Sequence, residues 1–74
     1  MLTVKLDEAT GDWVVLEEGS VLDKQHRLQD ARASARAKLL ERGKGSAVIY
    51  TPSGRPREKL SLHRADGRAE VQVA

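Results

Sequence analysis

The spacing of apolar residues predicts two strands at the start of the chain. Residues 2–6 alternate between apolar and polar side chains, the period-two pattern of a strand with one buried face. Residues 13–16 form a continuous apolar run that predicts a more deeply buried strand, and the turn-forming segment 7–12 joins the two as a hairpin. We expect Val21 and Leu22 to lead the chain across the edge of the sheet towards a helix.

A helix is predicted from near Arg27 to the residue before Gly43. Gly43 is a typical C-terminal cap, because glycine readily takes the left-handed conformation and a basic last turn suits the negative end of the helix dipole. Arg27 is a poor N-terminal cap, but a start at Asp23 would place Lys24 on the buried side. Four residues at helical spacing form the stripe that should face the sheet: Leu28, Ala31, Ala35 and Leu39.

The second half of the chain predicts three further strands. Residues 47–51 are β-branched and apolar, as in a central strand, and a turn follows at 52–55. Residues 56–62 and 68–73 both alternate, and the hairpin signal Asp66-Gly67 lies between them.

The predicted order of elements is therefore β-β-α-β-β-β. It describes a single α+β domain over residues 1–74, in which an antiparallel sheet carries one helix packed on one face. In the last predicted strand, Ala69, Val71 and Val73 should point inward to the core.

Three short motifs between residues 10 and 60 are similar to those of a known family. Residues 11–15 read G-D-W-V-V, a strand of the form G-x-W-x-V. Residues 28–31 match the end of a T-x-x-E-A helix start, with Asp for Glu and with Arg27 in place of the Thr. Residues 48–50 and the S-G-R at 53–55 are similar to the next strand and its D-G-R-type turn. Together they resemble a family of small bacterial domains of unknown function, which implies an α+β fold and brings no catalytic residues.

Composition limits how such a domain can be stabilised. With no cysteine among 74 residues, neither disulfide bonds nor cysteine zinc sites are available, and we expect no metal and no cofactor. One Trp, one Tyr and no Phe leave Val, Leu, Ile and Ala to form the core, with Trp13 expected inside it. A core of this size is only marginally stabilising, so additional burial by oligomerisation would be favourable.

The N-terminal residues show no signal for secretion. They alternate and then turn acidic, without the apolar run of roughly 7–15 residues that a signal peptide has. No segment approaches the roughly 18 apolar residues of a transmembrane helix. We therefore expect a soluble, cytoplasmic protein without a membrane partner.

The predicted helix is rich in basic residues, which raises the alternative of nucleic-acid binding. Residues 23–44 hold seven bases and three acids, whereas residues 1–22 hold one base and five acids. At about 100° per residue, the helical bases flank the buried stripe on both sides, as they do when their stems pack along an apolar boundary. Weak, sequence-independent binding would need six arginines to converge: Arg27, Arg32, Arg36, Arg42, Arg55 and Arg57.

The outward face of the helix favours a protein contact instead. It holds Ala33 and Ala37 one turn apart with Leu40 at its edge, and the acids around them would repel phosphate. We interpret the chain as a non-enzymatic interaction module that forms a homodimer, through this helix face or through an exposed sheet edge. The sequence identifies no other protein partner.

Two motifs are weakly similar to functional sites, one to a catalytic triad and one to a phosphate-binding loop. Ser61, His63 and Asp66 could form a triad, but nothing in the sequence marks an oxyanion hole or a pocket. Residues 43–46, G-K-G-S, are similar to a phosphate-binding loop, but they follow the predicted helix, where the dipole has the wrong sign for an anion. No catalytic residue is therefore assigned.

Overall fold

Six strands and one helix account for the regular structure of residues 1–74, which the computed structural model describes except for the side chain of residue 65. In the sheet the strands lie in the order β3-β2-β1-β4-β5-β6, so that β3 and β6 form its two edges. The predicted α+β class is confirmed. Along the chain the elements are β1 (Leu2–Asp7), β2 (Asp12–Glu17), β3 (Ser20–Gln25), α1 (Leu28–Arg42), β4 (Ser46–Tyr50), β5 (Pro56–Ala65) and β6 (Arg68–Val73).

The sheet is mixed, and the predicted all-antiparallel arrangement is wrong. β1 and β4 run parallel, with Leu2 opposite Ala47 and Val4 opposite Ile49, while the other neighbouring strands pair antiparallel. The cause is β3, a strand that the prediction lacks. With three strands before the helix instead of two, the chain enters α1 from the opposite end of the sheet, so β4 leaves it in the direction of β1.

A tight turn that the residue pattern hides joins β2 to β3. Glu18 and Gly19 both have positive φ, 49° and 81°, as in the two-residue type I′ hairpin. Glutamate is uncommon in this conformation, so this turn is less visible in the sequence than the predicted Asp66-Gly67 turn, where φ is 52° and 75°. A register shift also leaves Leu22 without an opposite residue in β2, which breaks the alternation of β3.

The helix packs on one face of the sheet and forms the core with it. Trp13 and Leu28 pack against this core but remain half-buried, so aliphatic residues fill its centre. The predicted helix stripe is thus confirmed for its three buried members and in part for Leu28. Nine aliphatic side chains, each no more than 1% exposed, make up the cluster: Leu2, Val4, Val15, Ala31, Ala35, Leu39, Ala47, Ile49 and Leu60.

Both ends of α1 agree with the prediction. Arg27 is the N-cap residue, in an extended conformation, and its side chain makes no capping hydrogen bond. Gly43 is left-handed with φ of 70°, and its N–H donates to the Leu39 carbonyl at 2.9 Å. Nε of Arg64 donates to the Gly43 carbonyl at 3.0 Å, so β5 helps to hold the C-terminal end of the helix.

Strand β6 follows the predicted alternation but not the predicted burial. Of the three side chains expected inward, only Val71 packs against the core, and it is half-buried; Ala69 and Val73 are exposed. One helix is roughly 10 Å wide, whereas six strands spaced about 4.8 Å apart make a considerably wider sheet. The single helix therefore leaves part of β6 uncovered.

Candidate interaction surfaces

The six arginines considered for nucleic-acid binding include two that are held in ion pairs. Arg32 donates to the carboxylate of Glu58 in β5, on one side of α1. Arg42 donates to the carboxylate of Glu17 in β2, on the other side. These acids already neutralise the two guanidinium groups, which reduces what either could contribute to a phosphate contact.

The other four arginines lie at separate places on the domain. Arg27 caps the N-terminal end of α1 and, with Arg32, lines a shallow depression there. Arg36 is exposed on the helix, Arg55 is exposed in the β4–β5 turn, and Arg57 lines a groove over β4 and β5. The arginines therefore surround the domain, and the structure does not bring them together as one patch.

The Arg42–Glu17 pair joins the end of the helix to β2. The hydrogen bond from the guanidinium lowers the pKa of the Glu17 carboxyl, and the same bond raises the pKa of Arg42. The side chains of Arg42 and Glu17 are 38% and 31% exposed. Because dissolved salt screens such a pair, it orients the helix more than it stabilises the fold.

The outward face of α1 exposes the three residues predicted to contact a protein. Ala33 and Ala37 are exposed, and Leu40 is 38% exposed. Asp30 and Glu41 are also exposed near them, so the apolar part of this face amounts to one leucine and two methyl groups. Burial of so small an area would contribute little to a dimer by itself.

A chain of hydrogen bonds ties the same helix to the edge strand β3. The Asp23 carboxylate accepts from the Ser34 hydroxyl, from the Gln25 amide at 3.1 Å, and from the Lys24 backbone N–H at 2.8 Å. Lys38 donates to the Ser34 hydroxyl at 3.3 Å. These bonds, above all the one from Ser34, lower the pKa of Asp23. Polar contacts therefore hold β3 in addition to its ladder with β2.

The face of the sheet opposite α1, here called the open face, is partly apolar and basic. Val14 lies between Lys5 of β1 and Lys24 of β3, and all three line one depression. Val14 is only 4% exposed, which we attribute to the aliphatic stems of the two lysines lying along it. This surface is missing from the sequence-based prediction, although the alternation of Lys5 with Val4 and Leu6 indicates which face of β1 carries the lysine.

A second group of open-face residues lies over β4 and β5. Val48 is opposite Lys59 in the sheet, and both line an open groove of about 440 Å³ with Tyr50 and Arg57. One aromatic ring beside two bases is an arrangement that suits a nucleic-acid strand. The two lysines beside Val14 lie on the same face and add two further bases to it.

The two edges of the sheet carry exposed aliphatic side chains. Val21 and Leu22 in β3 are 50% and 40% exposed, and Val73 in β6 is 61% exposed. Lys24 and the register shift protect β3 against pairing with another strand. The β6 sequence R-A-E-V-Q-V has neither lysine nor proline, so β6 is the less protected edge.

The residues considered for catalysis lie on and beyond β5. Ser61 and His63 share one face of the strand, and His63 and Asp66 are exposed. The G-K-G-S segment begins at Gly43, directly after α1, as predicted. Among the described side chains, no group of three or more His, Asp or Glu is placed to hold a metal ion. In the described part of the chain, no helix combines the length and the apolar character that crossing a bilayer requires.

Comparison of the chain with protein-family models, with curated proteins and with solved structures gave no match. The resemblance to small bacterial domains of unknown function stays a prediction from its motifs. A functional proposal therefore rests on the surfaces of the domain itself.

Proposed function

We propose that this chain is a small cytoplasmic, non-enzymatic interaction module that self-associates as a homodimer. A domain of 74 residues buries a limited apolar surface. Covering further apolar side chains against a second copy would add roughly 25 cal/mol for each Å² buried. The observation that carries the proposal is the exposure of large aliphatic side chains at both sheet edges and on the helix: Val21, Leu22, Leu40 and Val73.

Binding is preferred to catalysis because the candidate triad residues are open to water. His63 and Asp66 are both exposed, whereas a hydrolytic triad acts beside an oxyanion hole in a site that excludes water. Ser61 lies within a strand that pairs on both sides, opposite Ser46 and Gln72. Its backbone is therefore committed to the sheet, which supports a structural position for this serine.

Measurement of the oligomeric state tests the proposal. Sedimentation or light scattering over a range of concentrations should give a mass twice the 8.1 kDa of one chain. A dissociation constant of about 1 mM corresponds to only about 4 kcal/mol of binding free energy. A chain that stays monomeric at roughly millimolar concentration would therefore contradict self-association.

A second candidate function is weak nucleic-acid binding, which four of the bases on the open face favour. Lys5 and Lys24 flank Val14, and Arg57 and Lys59 line a groove that also includes Tyr50. A single strand could contact these bases through its phosphates and stack one nucleobase on the tyrosine ring. This assignment moves the contact from the helix to the sheet, away from the two ion-paired arginines.

Titration with random single-stranded DNA at low and moderate salt tests this second candidate. Binding should weaken steeply with salt, and the double variant Lys5→Gln/Lys24→Gln should weaken it further. The control Arg27→Gln/Arg36→Gln removes the same charge from the helix and should have a smaller effect. No binding at low salt rejects the candidate, and a larger effect of the control returns the contact to the helix.

A further inference from the structure

The backbone of β6 alternates between groups that bond to β5 and groups that point away from the sheet. Lys59 N–H donates to the Ala74 carbonyl at 3.1 Å, and Ala74 N–H donates to the Lys59 carbonyl at 2.9 Å. In an antiparallel ladder, such doubly bonded pairs alternate with pairs whose N–H and C=O groups point outward. The backbone N–H and C=O groups that point to the open edge are therefore those of Ala69, Val71 and Val73.

A contact on the other side of β5 supports this alternation. Leu62, the residue opposite Val71, donates its N–H to the Gly45 carbonyl at 3.1 Å, beside β4 and away from β6. Its N–H is therefore not directed at Val71. Because the Val71 side chain packs against the core, the outward direction of its own N–H and C=O is fixed by the fold.

The residues with outward backbone groups are also the apolar ones. Ala69, Val71 and Val73 share the side of the sheet that carries α1, while Glu70 and Gln72 alternate with them on the open face. A strand added to this edge would satisfy the free backbone groups and cover Val73, which is 61% exposed. This combination of hydrogen bonds and side-chain cover is the basis of recognition by strand addition.

We infer that two copies of the chain pair edge to edge through β6, antiparallel, about a two-fold axis at Val71. The inference rests on the self-association proposed above and names its interface. In the dimer, a residue whose backbone groups point outward must pair with another such residue. These residues are every second one in β6, so the two-fold axis passes through a residue and not between two residues. With the axis at Val71, residues 68–74 of both copies overlap and the two sheets become one.

The neighbouring registers are less favourable. An axis at Glu70 would set two Glu70 carboxylates directly opposite each other, where like charges are destabilising. An axis at Gln72 would pair only residues 70–74. The axis at Val71 instead sets Glu70 opposite Gln72, and its Val71–Val71 and Ala69–Val73 pairs form about six backbone hydrogen bonds.

Cysteine cross-linking tests the register, since the chain has no cysteine of its own. Val71→Cys should form a disulfide dimer under mild oxidation, because Cα atoms of a directly opposite pair are about 5.5 Å apart, within the range of a disulfide. Gln72→Cys is the matched control one residue away, and it should not link to itself. A mixture of Glu70→Cys and Gln72→Cys should link. Self-linking of Gln72→Cys without linking of Val71→Cys would overturn the register.

An edge proline tests the interface independently of the cross-link. Val73→Pro removes an N–H that points outward, so it leaves the β5–β6 ladder intact, as proline does on the free side of an edge strand. We expect it to raise the dissociation constant of the dimer by at least about tenfold. The control Val73→Thr keeps the N–H and should retain the dimer, as should Leu40→Gln on the helix face.

Three results distinguish the β6 interface from self-association as such. A wild-type chain that is monomeric removes self-association itself. A wild-type dimer that survives Val73→Pro, with circular dichroism showing the variant folded, overturns the β6 interface and leaves self-association standing. A dimer that dissociates with Leu40→Gln but not with Val73→Pro assigns the interface to the helix face.

Discussion

The two faces of the sheet bury aliphatic side chains in different ways. Under α1, Val15 and Ile49 are fully buried by a packed helix. On the open face, Val14 is nearly as buried, at 4% exposed, but its neighbours are Lys5 and Lys24. A close-packed helix leaves little room for rearrangement, whereas lysine stems can close over a gap or move aside for a partner. The covered face is thus held by close packing, and the open face is covered in part by side chains that can move.

The largest effect is expected where the helix meets the sheet. Leu39→Ala should lower the free energy of unfolding by about 2–5 kcal/mol, because Leu39 is 1% exposed and its removal leaves a cavity in a close-packed core. The matched control is the next residue: Leu40→Ala, at 38% exposed, should cost less than about 1 kcal/mol. Urea unfolding of both variants measures the difference, and similar losses would contradict the assigned helix orientation.

Adjacent valines in β2 compare the two faces directly. Val15→Ala should lower the free energy of unfolding by about 2 kcal/mol, since it opens a space between helix and sheet. Val14→Ala should cost about 1 kcal/mol, because the flanking lysine stems can fill part of the space. Both changes remove the same atoms, so propensity for the strand is matched. Equal losses in urea unfolding would show that the open face is as rigidly packed as the core.

The sequence predicted those features of the fold that depend on local pattern. The buried positions Ala31, Ala35 and Leu39 follow from helical spacing, and the end at Gly43 follows from glycine's conformational freedom. Strand β3 was not predictable in the same way, because the unpaired Leu22 breaks its alternation. The missing strand also reversed the predicted direction of β4, so one local irregularity changed the whole sheet from antiparallel to mixed.

The candidate surfaces depended more on contacts between distant residues. Counting arginines could not show that Arg32 is paired with Glu58, since 26 residues separate them. Alternation in β6 placed Val73 on the correct side of the sheet but could not show that a single helix leaves it exposed. Period-two patterns thus predict which face a side chain lies on, while its burial depends on what covers that face.

The attachment of the helix to the covered face can be weakened at its C-terminal end. Gly43→Ala should lower the free energy of unfolding by about 1 kcal/mol, because φ of 70° is unfavourable for a residue with a side chain. The added methyl group would clash with Nη2 of Arg64, so the flexible guanidinium must also move. Thermal unfolding of Gly43→Ala in an Arg64→Ala background separates the two causes. A variant as stable as its parent in that background would assign the whole cost to the clash.

The smallest effect concerns the hydrogen bond between α1 and β3, and it should depend on pH. Asp23 has a lowered pKa in the folded chain, chiefly because Ser34 donates to its carboxylate. Its stabilising contribution is therefore complete above its ordinary pKa of 3.8 and is lost as the pH falls through the lower folded value. Asp23→Asn should lose less stability than the wild type when urea unfolding is compared between about pH 6 and pH 2.

Glu17→Gln provides the comparison for this pH dependence, since the pKa of Glu17 is lowered by Arg42 and not by a contact with β3. Each single variant should reduce the loss of unfolding free energy on acidification, and the double variant should reduce it most. If Asp23→Asn loses as much stability on acidification as the wild type, the Ser34 bond does not hold β3 to the helix. Strand β3 would then be held by its ladder with β2 more than by polar contacts with the helix.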